Sequence, residues 1–180
     1  VGGPPTQPVR LFHYAGSRRG EVASELLADY QGYLQTDDYA GYNGIVGKNK
    51  ITQLGCWAHV RRKFVEAQKT NAIIKDNSKK FKTNKNKTSK ADVAISLIAK
   101  LYAIEKHIKE STPEEKYRVR QQASKAQLNK IREWLDKSLH STVPKGLLGK
   151  ALSYLNKNWE KLTVYTEDGC VYRAAKCQKY

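Results

Sequence analysis

Residues 32–64 read GYLQTDDYAGYNGIVGKNKITQLGCWAHVRRKF, and the fold class turns on this stretch. Tyr33–Thr36 is a short β-prone run that leads into Asp37 and Asp38. Residues 39–46, YAGYNGIV, fit a loop or a single helical turn, and residues 51–57, ITQLGCW, fit a second strand. From His59 to Lys69 the spacing changes: Val60, Phe64 and Ala67 share one face of a basic helix. Upstream, VRLFHYAG at 9–16 is predicted as a strand closed by Gly16, and Ser17–Gly20 as a turn. A helix follows over Glu21–Tyr30, carrying Val22, Leu26, Leu27 and Tyr30 and ended by Gly32. The order strand, helix, strand, helix predicts an α/β layer with parallel strands.

Downstream the pattern breaks. KDNSKKFKTNKNKTSK, residues 75–90, holds seven lysines and one aromatic residue. Such a run buries no core, so 71–90 is predicted as a mobile basic loop. The rest reads as helical. Ala94, Leu97, Ile98, Leu101, Ile104 and Ile108 form one stripe over 91–110. Thr112, Pro113, Glu114 and Glu115 make a helix start, with a capping hydroxyl, proline at the first position and acids at the positive dipole end. That helix runs to about His140 with Leu128, Ile131, Trp134, Leu135 and Leu139 as its stripe. Pro144 is predicted to open a third helix, with Leu147, Leu148, Leu152, Leu155, Trp159 and Leu162. Each stripe needs the others, which predicts a small antiparallel helical subdomain. The predicted organisation is therefore α+β: an α/β part over 1–70, the basic loop 71–90, a helical insertion 91–165 and a divergent tail 166–180. No internal repeat is evident.

The chain has 33 Lys and Arg against 17 Asp and Glu, a net charge of +16. So large an excess points to polyanionic partners, above all nucleic acid, over a merely lysine-rich soluble protein. No apolar run approaches the roughly 18 residues of a membrane helix. The first residues lack the regions of a signal peptide, so no membrane partner and a cytoplasmic location are expected. Three cysteines, Cys56, Cys170 and Cys177, argue against a disulfide framework. The absence of Met and the opening VGGPPTQPVR suggest a fragment.

Three local features bear on chemistry. Asp37 at a strand end is a good place for a hard cation, because the strand fixes the carboxylate and the following turn leaves room for a phosphate; the plainer reading is that Asp37 and Asp38 begin a turn. Cys56 and His59 have the spacing of half a zinc site, but no second half matches, which favours Cys56 as a small buried residue and Trp57 as core. Arg61, Arg62 and Lys63 fan out around the following helix, so one or two of them suit phosphate contacts, as do Arg18 and Arg19 in the turn before the first helix. No glycine-rich phosphate loop and no Ser or Cys nucleophile constellation stands out.

Two blocks, YAGSRRGEVASELLADYQGYLQTDDYAGYN at 14–43 and CWAHVRRKF at 56–64, resemble the insertion-sequence-66 transposase family. Weaker similarity continues through LIAKLYAIEKHI at 97–108 to TEDG at 166–169. The resemblance implies an RNase H-like fold with a helical insertion, and two Asp and one Glu holding two Mg²⁺ (or Mn²⁺). Its implied activity is DDE-type cleavage of transposon ends and strand transfer into target DNA. Asp37 matches the family's second acid and so is the implied catalytic and metal-binding residue. Arg18, Arg19, Arg61, Arg62 and Lys63 are the candidate DNA contacts. Two departures follow from the same comparison. The family's first acid lies upstream of residue 1, and its last acid falls where this chain has CVYRAAKCQKY, residues 170–180. Asp38 stands where the family usually has Gly. A fragment inactive by itself is expected, with an open sheet edge that is either covered by self-association in a homo-oligomer or leaves the fragment marginally stable; the alternative is a non-catalytic basic nucleic-acid-binding module.

Overall fold

The structure, a computed structural model, describes residues 12–17, 19–38, 40–42, 44–45, 50–77 and 88–171. The chain divides into two compact units, residues 1–54 and 55–180.

The first unit contains helix α1 (Gly20–Leu26), strand β1 (Gly32–Thr36), a 3₁₀ turn (Ala40–Tyr42) and all but the last residue of strand β2 (Ile51–Gly55). The two strands pair in parallel, and the pairing starts where the Gly32 amide donates to the Lys50 carbonyl at 3.3 Å. The parallel strands read from the sequence are thus present. Two expectations are corrected. Within the run read as a strand at 9–16, residues 12–16 are irregular, with Phe12 81% and Tyr14 94% exposed; β-prone residues form a strand only where a neighbour accepts their backbone bonds. Residues 9–11 lie outside the described residues. Helix α1 ends at Leu26 rather than near Tyr30 and buries no residue, so no packing extends it.

In the second unit, Trp57 opens a helix instead of closing a strand. Helix α2 spans Trp57–Asn77, so the first residues of the predicted loop continue the helix, and residues 78–87 lie outside the described set. Helix α3 spans Lys90–His107. Ser89 caps it reciprocally: its hydroxyl accepts the Asp92 amide, and the Asp92 carboxylate accepts the Ser89 amide. The predicted helix start at Thr112 is present, with Thr112 Oγ1 accepting from the Glu115 amide at 3.3 Å. From there α4 (Pro113–Val119), a π turn (Arg120–Ser124) and α5 (Lys125–His140) form one continuous helical run. Helix α6 starts at Leu147, after a corner containing Pro144, and α7 (Trp159–Thr163) follows a break at Asn158. A 3₁₀ turn over Val164–Glu167 leads to Gly169.

The core joins the predicted stripes. Val60 and Phe64 of α2, Ile98 and Leu101 of α3, Ile131 and Leu135 of α5, and Leu152 and Leu155 of α6 are all at most 1% exposed. Each such side chain contributes about 1.5–3 kcal/mol of burial free energy. Helices α3 and α5 run antiparallel: Lys90 at the start of α3 meets Ser141 past the end of α5, while Gln127 Nε2 donates to the Leu97 carbonyl further along. The corner between α5 and α6 is closed by Gly149. A β-carbon there would stand 2.6 Å from the Pro144 carbonyl oxygen, and it would strike that of Val143 as well. Gly149→Ala should therefore cost about 1–3 kcal/mol in urea unfolding; a variant as stable as wild type would show that this corner does not close on α6.

The π turn carries the least expected feature of the fold. Arg120 is 2% exposed. Its guanidinium forms a fork with Glu105, Nε to Oε1 at 3.0 Å and Nη2 to Oε2 at 2.8 Å. Its Nη1 donates to the carbonyls of Tyr165 at 3.2 Å and Asp168 at 2.7 Å. Next to it, Gln121 Nε2 donates to the Thr166 carbonyl at 2.7 Å. The TEDG segment is thereby tied to the middle of the α4–α5 run, and Gly169 lies so close to Pro113 that a β-carbon would stand 2.6 Å from its carbonyl carbon.

Candidate functional site

Asp37 follows the last residue of β1 and is exposed. The strand end behind it is fixed by a buried cross-strand bond: Gln53 Nε2 donates to Thr36 Oγ1 at 2.7 Å, with Thr36 7% and Gln53 8% exposed. A buried amide–hydroxyl pair of this kind holds its geometry because leaving either group unpaired costs about 1–3 kcal/mol. Asp38 has φ of +69°, a left-handed conformation in which Gly carries no penalty and Asp is among the tolerated side chains. The chain therefore turns sharply away after Asp37 and leaves its carboxylate at the tip of the strand.

Among the described residues, no three His, Cys, Asp or Glu side chains lie together as a metal site. The described residues by themselves therefore do not assemble the three-acid set that the resemblance implies. Cys56 is 2% exposed, packed as a small core residue, and Trp57 is 3% exposed, its indole nitrogen donating to the Leu162 carbonyl at 2.9 Å.

The candidate DNA contacts divide between the two units. Arg19 is exposed beside α1, and Arg18 lies outside the described residues. On α2, Arg61 and Arg62 are exposed, whereas the Lys63 ammonium sits 4.6 Å from the centre of the Tyr154 ring. The charge is unevenly divided between the two units. Residues 1–54 contain five Lys or Arg and five Asp or Glu, so the whole excess of +16 belongs to residues 55–180. This partition becomes visible only when the unit boundary is known. No described helix is long and apolar enough to cross a membrane.

The chain is similar to proteins of one kind along nearly its full length. It is 34% identical over 172 residues to the uncharacterized protein y4hP of Sinorhizobium fredii (strain NBRC 101917 / NGR234), covering 92% of this chain and 30% of that protein. It is 26% identical over 173 residues to the uncharacterized protein y4jD of the same strain, covering 93% of this chain and 31% of that protein. The chain thus spans under a third of the length of these relatives. No solved structure matches it. The profile of the family described as Transposase IS66 family matches residues 2–173, and the chain belongs to that family.

Proposed function

We propose that this chain is the central part of a DDE-type transposase, acting in DNA transposition by Mg²⁺-dependent phosphodiester cleavage and strand transfer in the whole protein. The observation that carries this reading is the family match over 2–173, and it is supported by the exposed Asp37 that follows the last residue of β1. In this reading the first unit belongs to an RNase H-like layer, and Asp37 supplies one of its metal-binding carboxylates. Metal ions bound there would activate a nucleophile and stabilise a leaving oxygen. The chain's own contributions are the fixed strand end, the left-handed backbone at Asp38 that follows it, and a basic helical unit that holds DNA. In this reading the further carboxylates come from elsewhere in the whole protein, so the chain alone is expected not to cut DNA.

The expected result is that supercoiled plasmid stays intact with this chain in Mg²⁺ or Mn²⁺, for both wild type and Asp37→Ala. Restoring the remainder of the protein should give nicking that Asp37→Ala abolishes. Nicking by the 180-residue chain that disappears in Asp37→Ala would overturn the single-ligand reading. Nicking by the whole protein that survives Asp37→Ala would overturn the role of Asp37.

A second reading is a basic nucleic-acid-binding module without catalysis. The charge partition favours it for the helical unit, since residues 55–180 carry the whole excess. Such a module binds with steep salt dependence and needs no divalent cation. The two readings assign different work to different units and separate on whether Asp37 matters in the whole protein.

A further inference from the structure

Between Asp136 and Glu160 the chain runs 23 residues, 137–159, with four lysines and no Asp or Glu. The fold gathers this run into the end of α5, the corner at 141–146, helix α6 and the start of α7. On α6, Ala151, Leu152 and Leu155 are buried, so the opposite side carries Lys150, Ser153, Asn156 and Lys157, all exposed. Lys150 and Lys157 are seven residues apart, about 10 Å along the helix axis. That spacing is close to the roughly 12 Å width of the DNA major groove. Ser153 and Asn156 add hydrogen-bonding groups between the two charges.

The N-terminal end of this face is apolar. Val143 is 73% and Leu147 45% exposed, with Pro144 and Lys145 exposed between them. The corner that presents them is firmly held. Lys90 Nζ donates to the Ser141 carbonyl at 2.8 Å, to Ser141 Oγ at 2.7 Å and to Thr142 Oγ1 at 2.9 Å. Gly149 lets the Val143 and Pro144 carbonyls lie against the helix. Two aliphatic side chains supply far less than the roughly 800 Å² per partner that a stable protein interface buries. Duplex DNA matches the combination better: phosphates for an acid-free cationic rim, and apolar sugar and base edges in its grooves for a rigid aliphatic corner.

We propose that the exposed face of α6, with the Val143–Leu147 corner at its end, is a duplex-DNA-binding surface. Lys150 and Lys157 contact phosphates, and the corner packs into a groove. The assignment rests on the reading that this protein handles DNA, and it assigns that contact to the helical unit.

The test is fluorescence anisotropy of a labelled DNA duplex against the full chain over a range of salt concentrations. It compares wild type, K150Q/K157Q, V143S, and K100Q/K106Q, which removes the same charge from the exposed side of α3. K150Q/K157Q should flatten the slope of log affinity against log salt by about 1.8, and weaken binding roughly tenfold at moderate salt. V143S should weaken binding about threefold with the slope unchanged, because it removes no phosphate contact. K100Q/K106Q should leave the slope near wild type. Equal losses in the two double variants would show diffuse attraction and overturn the surface while leaving DNA binding intact. A wild-type chain that fails to bind duplex even at low salt would overturn the DNA-binding reading itself. Thermal melting followed by circular dichroism checks that each variant is folded, and all five substituted positions are exposed.

Discussion

Arg120→Met should destabilise the helical unit by about 3–5 kcal/mol, because it leaves the buried Glu105 carboxylate without its counter-charge. Glu105 is 8% exposed at its side chain and receives two bonds from the fork. The same change orphans one donor to each of the Tyr165 and Asp168 carbonyls, and an unsatisfied buried acceptor adds about 1–3 kcal/mol. The melting temperature should fall by on the order of 10–20 °C for a unit of this size. Arg120→Lys should recover only part of the loss, since an ammonium has no planar fork with which to hold a carboxylate and two carbonyls together. Adding Glu105→Leu to Arg120→Met should regain stability relative to Arg120→Met, because the uncompensated charge is gone while the carbonyls stay unpaired. Urea unfolding followed by far-ultraviolet circular dichroism measures all four. An Arg120→Met chain within about 1 kcal/mol of wild type would mean that the fork contributes little to the folded state.

Trp57→Ala should cost about 3–5 kcal/mol, the usual range for emptying a buried aromatic site. Trp57 stands at the first turn of α2, packs edge-on against Trp159 with ring centres 6.3 Å apart, and bonds to the Leu162 carbonyl. Gly55, two residues earlier, is equally constrained: a β-carbon there would come within 2.9 Å of the Leu162 side chain. Trp57→Phe separates the two contributions. It keeps most of the ring packing and loses the indole donor, so it should cost about 1–2 kcal/mol, with the Leu162 carbonyl left short of a partner. Equal losses in Trp57→Phe and Trp57→Ala would assign the whole effect to the hydrogen bond and contradict the packing role. A Trp57→Phe chain as stable as wild type would show that the bond adds nothing.

The sequence by itself determined the parts of this protein that depend on local patterns. Apolar residues at helical spacing predicted α3, the run from Thr112 to His140 and the core that unites them, because a stripe of aliphatic side chains has few ways to leave water. The β-prone run at 33–36 and the parallel relation of the two strands were legible, as were the helix start at Thr112 and the burial of Cys56 and Trp57. The blocks at 14–43 and 56–64 were specific enough to indicate the family. Tertiary structure decided what depends on neighbours far along the chain. Whether residues 12–16 form a strand turns on a partner to accept their hydrogen bonds. The same holds for charge. Arg120, 48 residues before Asp168 and 15 after Glu105, is indistinguishable in sequence from the exposed cations around it. Only the packed bundle brings a carboxylate and two carbonyls to it, and only the burial of one side of α6 leaves Lys150 and Lys157 together on the other. Long-range desolvation and electrostatics settled these points, and neither can be read from residues taken in order.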